Sequence, residues 1–354
     1  MKRNRGTKMK KSNCLRGLLA GLVLGGCISH AFAEDITVAT WGGTYTEKQR
    51  KSIFDPYTAK SGDAVLDAVY TGGLGQIQAM VESGNTTWDV IQMGAPETLN
   101  ACAQGLIEEL DTSKLASAAD FRAPGITKCA VGAIGWGMVI AYNTKATGDQ
   151  PKSWNDFWDL KKYPGKRGMK REPQNNLEAA LLADGVAATD VYKLLATPEG
   201  VDRAFKKLDE IKSNIQWWEA GAQPPEWLAN GGVAMSTTFV GRILEAQAEG
   251  APIKFGWSGS LYSVDYWAIV SGTKKKDAAY AFLSYATSPE AQAEFSKIQP
   301  VAPVNLKAST LLSPERIAIM PVGDNLKQSV PTDSGFWNDN LEALTERFNA
   351  WASK

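Results

Sequence analysis

Residues 35–41, DITVATW, begin a run that continues as TEKQRKSIFDPYTAKSG (46–62), AVLDAVY (64–70), GLGQIQAMVESG (73–84), WDVIQMG (88–94) and APETLNACAQGL (95–106). Short β-branched runs alternate here with longer stretches of helical spacing. That βαβαβα order calls for a parallel sheet with helices on its faces. In such sheets ligands bind beyond the carboxyl ends of the strands, so Trp41, Gly43 and Thr44 after the first strand and Gly94 after the third become candidate site residues by position. Thr44 and Glu47 have capping-box spacing, and the first helix is expected to open directly after Gly42-Gly43 with its free amides toward the ligand side.

Beyond GWGMVIAYN (135–143) the chain turns polar at TKATGDQPKS (144–153), and a second alternating series follows. Its pieces are KRGMKRE (166–172), NNLEAALLADG (175–185), TPEGVDRAFKKLDEIKSN (197–214), VAMSTTF (233–239), RILEAQAEG (242–250) and IKFGWSG (253–259). This reads as a second α/β lobe. A strand, YSVDYWAIV (262–270), then precedes a helical stretch (273–299) in which Ser288-Pro289-Glu290 reads as a cap with proline in the first turn. A helix at 338–354 closes the chain. The expected divisions are a leader at 1–33, the first part of lobe 1 at 34–143, lobe 2 at 144–264, and a return to lobe 1 with the C-terminal helices at 265–354.

The first 33 residues have a basic start, the apolar GLLAGLVLGG (17–26) and the small-residue site Ala31-Phe32-Ala33, the pattern of an export signal. Leu24-Gly25-Gly26-Cys27 offers an alternative, cleavage and acylation at Cys27, and both routes lead outward. Cleavage near Ala33 removes seven Lys and Arg and leaves 31 basic against 38 acidic residues, a net charge of −7, which argues against nucleic acid as a partner. It also removes His30, the single histidine. Ser-His-Asp and Cys-His nucleophiles and histidine zinc sites fall with it, so no catalytic residue, metal or cofactor is assigned. Cys102 and Cys129 remain, and in an oxidising compartment they read as a disulfide, with two separate buried thiols as the alternative.

A set of segments in order carries a family resemblance: TWGGTY (40–45), WDVIQMG (88–94), GWGMVIAYN, PKSWNDFWDL (151–160), TTFVGRILEAQAEGAPI (237–253), SVDYWAIV (263–270), and SPEAQAEFSKIQPVAPVNL (288–306) followed by LLSPE (311–315). Over essentially its whole length after the leader, the chain resembles the periplasmic binding proteins of ABC transport systems for polyamines and related amines, including 4-aminobutyrate. The resemblance implies a two-lobe periplasmic-binding-protein fold of the type II-like kind, each lobe a mixed sheet flanked by helices, with a hinge and a ligand held between the lobes. It also implies a monomer that hands its ligand to a permease in the inner membrane.

In polyamine-binding members an aspartate after an aromatic strand pairs with the substrate ammonium, and the position that looks equivalent is Asp265. Read without the family, Asp265 serves equally well as a turn cap. Strand alternation puts Trp267 on its face and Tyr266 on the other. Trp41, Phe239 and Tyr266 are the candidate aromatic walls for an amine. The departures from the polyamine pattern point to a different ligand. Where polyamine binders carry an acidic pair, the chain has Glu172 and the amide Asn175, and Gln299-Pro300 stand where a tyrosine is expected. Arg242 replaces a small polar residue.

An arginine facing the cleft would repel a polycation and grip a carboxylate through its planar fork. With Asp265 for an ammonium, Arg242 then describes a zwitterion: an ω-amino acid of the 4-aminobutyrate kind, a betaine or an opine-like conjugate. In the alternative, Arg242 points outward to Glu245 or Glu249 and the ligand is a polyamine. A third reading, an extracytoplasmic hydrolase, would use Asp265 and Glu172 as its carboxylate pair. The basic clusters Lys161-Lys162, Lys166-Arg167-Lys170-Arg171 and Lys274-Lys275-Lys276 read as solvated faces.

Overall fold

The N-terminal run folds as β1 (Ile36–Thr40), β2 (Val65–Val69) and β3 (Val90–Gly94), with β1 in the middle and parallel to both neighbours, as its alternation requires. The computed structural model describes residues 34–354; the leader, with the two processing readings at Ala33 and Cys27, lies outside them. Further along come β4 (Ala130–Asn143), β5 (Arg167–Lys170), β6 (Ile215–Trp218), β7 (Met235–Phe239), β8 (Ile253–Ile269) and β9 (Val330–Pro331). The sheet order is β2-β1-β3-β8-β4-β7-β5-β6, with β9 beside β8. β5 runs parallel to β6 and β7, so each end of the sheet is a parallel trio and the antiparallel pair β4 and β8 joins them.

β4 and β8 are 14 and 17 residues long, enough to run through both halves. Two irregularities interrupt their pairing, one between Gly132 and Ile134 and one between Met138 and Ile140. Bulges bend and twist a ladder, and Gly135-Trp136-Gly137 lies between the two. Gly135 is required there, since a Cβ would lie 2.5 Å from the Tyr262 hydroxyl oxygen.

Two cores mark the two lobes. One gathers Ile36, Phe54, Val90, Trp267 and Phe282, and the other Phe157, Met169, Leu181, Trp218 and Met235. The last helix, Ser334–Ala352, inserts Trp337, Leu344 and Phe348 into the second core. There the buried Glu178 accepts from Tyr192 Oη and Trp337 Nε1, both at 2.7 Å, and burial pushes its carboxyl up to about 7. Cys102 and Cys129 are joined, with Cα atoms 5.8 Å apart, which ties the helix Ala95–Ala103 after β3 to the start of β4.

Two local expectations are corrected. The Thr44/Glu47 capping box does not form: the helix Gly43–Gln49 is capped at Gly42, whose φ of 75° suits glycine, and the Gly42 amide donates to Thr46 Oγ1 at 2.9 Å. Thr44 is left exposed. Arg167 does not lie on a solvated face but is fully buried, because it sits on β5 behind the loop that follows Trp154–Trp158 and donates to four of that region's carbonyls. Ser288 caps Pro289–Ile298 as expected, accepting from the Ala291 amide.

Candidate functional site

Asp265 lies within β8, opposite Gly94 of β3 and Ile134 of β4, at the carboxyl end of the first lobe's parallel strands. Its side chain is buried, and three N–H groups from three strands converge on it. Trp136 Nε1 donates to Oδ1 at 2.8 Å, while Trp41 Nε1 and Gln92 Nε2 donate to Oδ2 at 2.9 and 3.3 Å. Gln92 also donates to the Tyr45 hydroxyl at 2.8 Å and accepts from Gln49 Nε2 at 2.7 Å, so its amide orientation is settled by its neighbours.

Burial raises the Asp265 carboxyl to about 7, against the pull of the two indoles and Gln92, and the nearby Glu97 raises it further. An ammonium partner needs the ionised form. Affinity for a cationic ligand is therefore expected to fall about tenfold between pH 8 and pH 6, as the carboxyl takes up a proton. Titration calorimetry at the two pH values checks it, with proton release on binding growing toward the lower pH. The unliganded fold moves the other way: a carboxyl whose folded value lies above its unfolded one penalises stability above pH 7, and acidification toward 4 relieves it.

The second lobe contributes Phe239 at the end of β7. Its ring stands 5.6 Å from that of Trp136, edge to face, and 6.0 Å from Trp218. Arg242 follows in the first turn of the helix Val240–Ala248. Its side chain is 40% exposed and donates to Glu245 Oε2 at 3.3 Å, while Glu245 Oε1 is held at 2.6 Å by Lys48 of the first lobe. Lys48 also donates to Gln299 at 2.8 Å. This chain of charges places Arg242 at the boundary between the lobes, beside a surface groove of about 660 Å³ lined by Glu226, Glu245 and Glu249.

Glu172 and Asn175 meet just before the helix Asn176–Ala183, where Asn175 takes a left-handed φ of 69° and donates from Nδ2 to Glu172 at 3.2 Å. Lys170 pairs with Glu172 at 2.6 Å. The structure thus brings together Trp41, Gly94 and Asp265 in the first lobe and places Phe239, Arg242, Glu172 and Asn175 on the second. Gly43 presents open backbone at the first strand's end. Tyr266 is placed elsewhere, buried in the first core with its hydroxyl donating to Pro124 O at 2.6 Å.

Trp136, Gln92, Tyr70 and Glu97 were not singled out from sequence. Trp136 stood in the quoted GWG run, and Glu97 in APETLN just past Gly94; position after a strand end was the available signal for Glu97, while the pairing of Ile134 with Asp265 is what puts Trp136, two residues on, on the same face as Asp265.

Two α/β lobes joined by paired crossing strands, with a carboxylate buried at their junction and no helix among the described residues long and apolar enough to cross a membrane, define a two-lobed ligand receptor. The chain belongs to the bacterial extracellular solute-binding proteins, whose family model matches residues 53–318. It is 43% identical over 328 residues to the gamma-aminobutyric acid-binding protein of Pseudomonas aeruginosa, covering 92% of this chain and 93% of the relative. It is 22% identical to the spermidine/putrescine-binding periplasmic protein of Salmonella typhimurium, over 85% of this chain and 87% of that one. Among solved structures, the Atu4243-GABA receptor superposes with a TM-score of 0.84 at 33% identity, covering 91% of this chain and 98% of that one. MotA from A. tumefaciens B6 in complex with glucopine gives 0.82 at 33% identity, over 90% and 99%. These relatives are named as binding proteins and receptors, not as enzymes, which sets the carboxylate-pair hydrolase aside.

Proposed function

We propose that this receptor captures a zwitterionic amine of the ω-amino acid kind, 4-aminobutyrate or a close derivative, and passes it to an inner-membrane ABC permease. The observation that supports this reading is the buried carboxylate Asp265 of the first lobe, and Arg242, which Glu245 and Lys48 link to the lobe boundary, is the guanidinium that would meet the ligand's other end. Opposite ligand charges would meet opposite protein charges, with Trp136 and Phe239 beside the chain between them. The 43% identical relative is named for gamma-aminobutyric acid, which supports the same reading. In this reading the leader is cleaved near Ala33 and the receptor works as a periplasmic monomer.

A polyamine is the second reading, and one contact favours it: Arg242 is paired with Glu245, which would leave the carboxylates Asp265 and Glu97 to meet a cationic ligand. A thermal-shift screen of the refolded, ligand-free protein separates the two. Stabilisation by ω-amino acids, lost in Arg242→Ala, is the expected result, on the order of 2.7 kcal/mol at a hundredfold excess of ligand over Kd. Stabilisation by putrescine with Arg242→Ala harmless would instead make the ligand a polyamine.

A further inference from the structure

Asp265 cannot satisfy a primary ammonium alone. A carboxylate offers about four acceptor positions, and Trp41, Gln92 and Trp136 occupy three, whereas an ammonium brings three N–H donors. Two acceptors without side-chain partners lie beside it. Glu97 stands in the first turn of the helix after β3, partly buried; its carboxylate meets its own backbone amide but no other side chain, and it forms no ion pair among the described residues. It folds back over Gly94, the residue paired with Asp265: a Cβ on Gly94 would lie 2.6 Å from Glu97 Oε2. The second is Tyr70, 2% exposed, whose ring lies 5.2 Å from that of Trp41 and whose hydroxyl has no partner. The Trp41 ring that Tyr70 packs against is the one that donates to Asp265 at 2.9 Å, and burial and then the charges of Glu97 and Asp265 push the hydroxyl's pKa up.

We propose that Glu97 and Tyr70 complete with Asp265 a three-acceptor cradle that selects a primary ammonium over its N-methylated counterparts. The inference rests on the amine reading of the site given above and narrows it: ω-amino acids with a free ammonium are ligands, and betaines are not. A trimethylammonium has no N–H to give, so it would leave the Glu97 carboxylate and the Tyr70 hydroxyl desolvated and unpaired. The trimethyl group would also crowd the space over Gly94 that the Glu97 carboxylate fills.

Titration calorimetry of the purified protein with 4-aminobutyrate and with its N,N,N-trimethyl derivative tests this. The wild type is expected to bind the primary amine about 100-fold more tightly. Glu97→Gln should weaken 4-aminobutyrate about 10- to 30-fold and leave the trimethyl compound within about twofold, and Tyr70→Phe should weaken the primary amine about fivefold. Equal loss of both compounds in Glu97→Gln, or a wild type that does not discriminate between them, overturns the cradle. Should Glu97→Gln fail to fold, as its unliganded melting curve would report, the wild-type comparison of the two compounds decides alone. A wild type that binds putrescine instead refutes the zwitterion reading only, and putrescine against its permethylated form then tests the cradle. Binding of no amine at all sinks both.

Discussion

Asp265→Asn is expected to weaken ligand binding by about two to three orders of magnitude while leaving the unliganded protein no less stable. The carboxylate supplies the one buried negative charge on β8, and its amide isostere would present an N–H to an indole N–H that needs an acceptor. Folding, by contrast, gains from the change. Raising a buried carboxyl from 3.8 to about 7 costs about 4 kcal/mol at neutral pH, and the amide removes that charge while giving up one indole contact. A group that costs stability and is engaged from three strands is held in place for binding. Calorimetric titration with 4-aminobutyrate beside a melting curve of the ligand-free variant checks both halves. A variant that melts far below the wild type, or one that still binds within a factor of three, would refute the assignment.

Arg167→Met is expected to do the reverse, destabilising the second lobe by about 3 to 5 kcal/mol with no direct effect on the ligand. The guanidinium is fully buried and forms no ion pair among the described residues; it donates to Phe157 O and Tyr163 O at 2.6 Å, to Gly165 O at 2.8 Å and to Asp159 O at 3.3 Å. Burial lowers its pKa to about 10, so the charge itself is held at a cost. Four carbonyls would lose this donor at once, Asp159 O alone of them keeping the Tyr163 amide, and methionine fills the space without replacing any. Chemical denaturation of the unliganded protein reads the loss, with Arg167→Lys, which restores one donor cluster but not the fork, falling between the two.

The contrast between these residues shows what could be read along the chain. Asp265 was legible because it heads the apolar run YWAIV in a segment with a family likeness, and Trp41 because a glycine pair follows it at a strand end. Arg167 was misread as solvated because charge runs are usually surface, and nothing local in KRGMKRE reveals that the turn after Trp154–Trp158 folds its carbonyls over β5. Tyr266 was placed correctly by alternation on the face opposite Asp265, yet its aromatic ring suggested a wall; the core claims it because Pro124 O lies within reach of its hydroxyl. The Thr44/Glu47 spacing matched a capping box, but Gly42 adopts a backbone that lets Thr46 take the capping bond instead.

By itself the sequence determined the two α/β halves, the parallel order at the N-terminal end and the receptor family. Each follows from local periodicity or from segments whose order survives in one dimension. Only the tertiary structure decided that Trp136, Gln92 and Trp41 converge on one carboxylate, that Glu97 and Tyr70 stand without side-chain partners beside it, and that Lys48 reaches Glu245 across the cleft. The physical reason is separation along the chain. Asp265 and Trp41 lie 224 residues apart, and no local pattern encodes a contact that exists only once β3 has paired with β1 on one side and with β8 on the other.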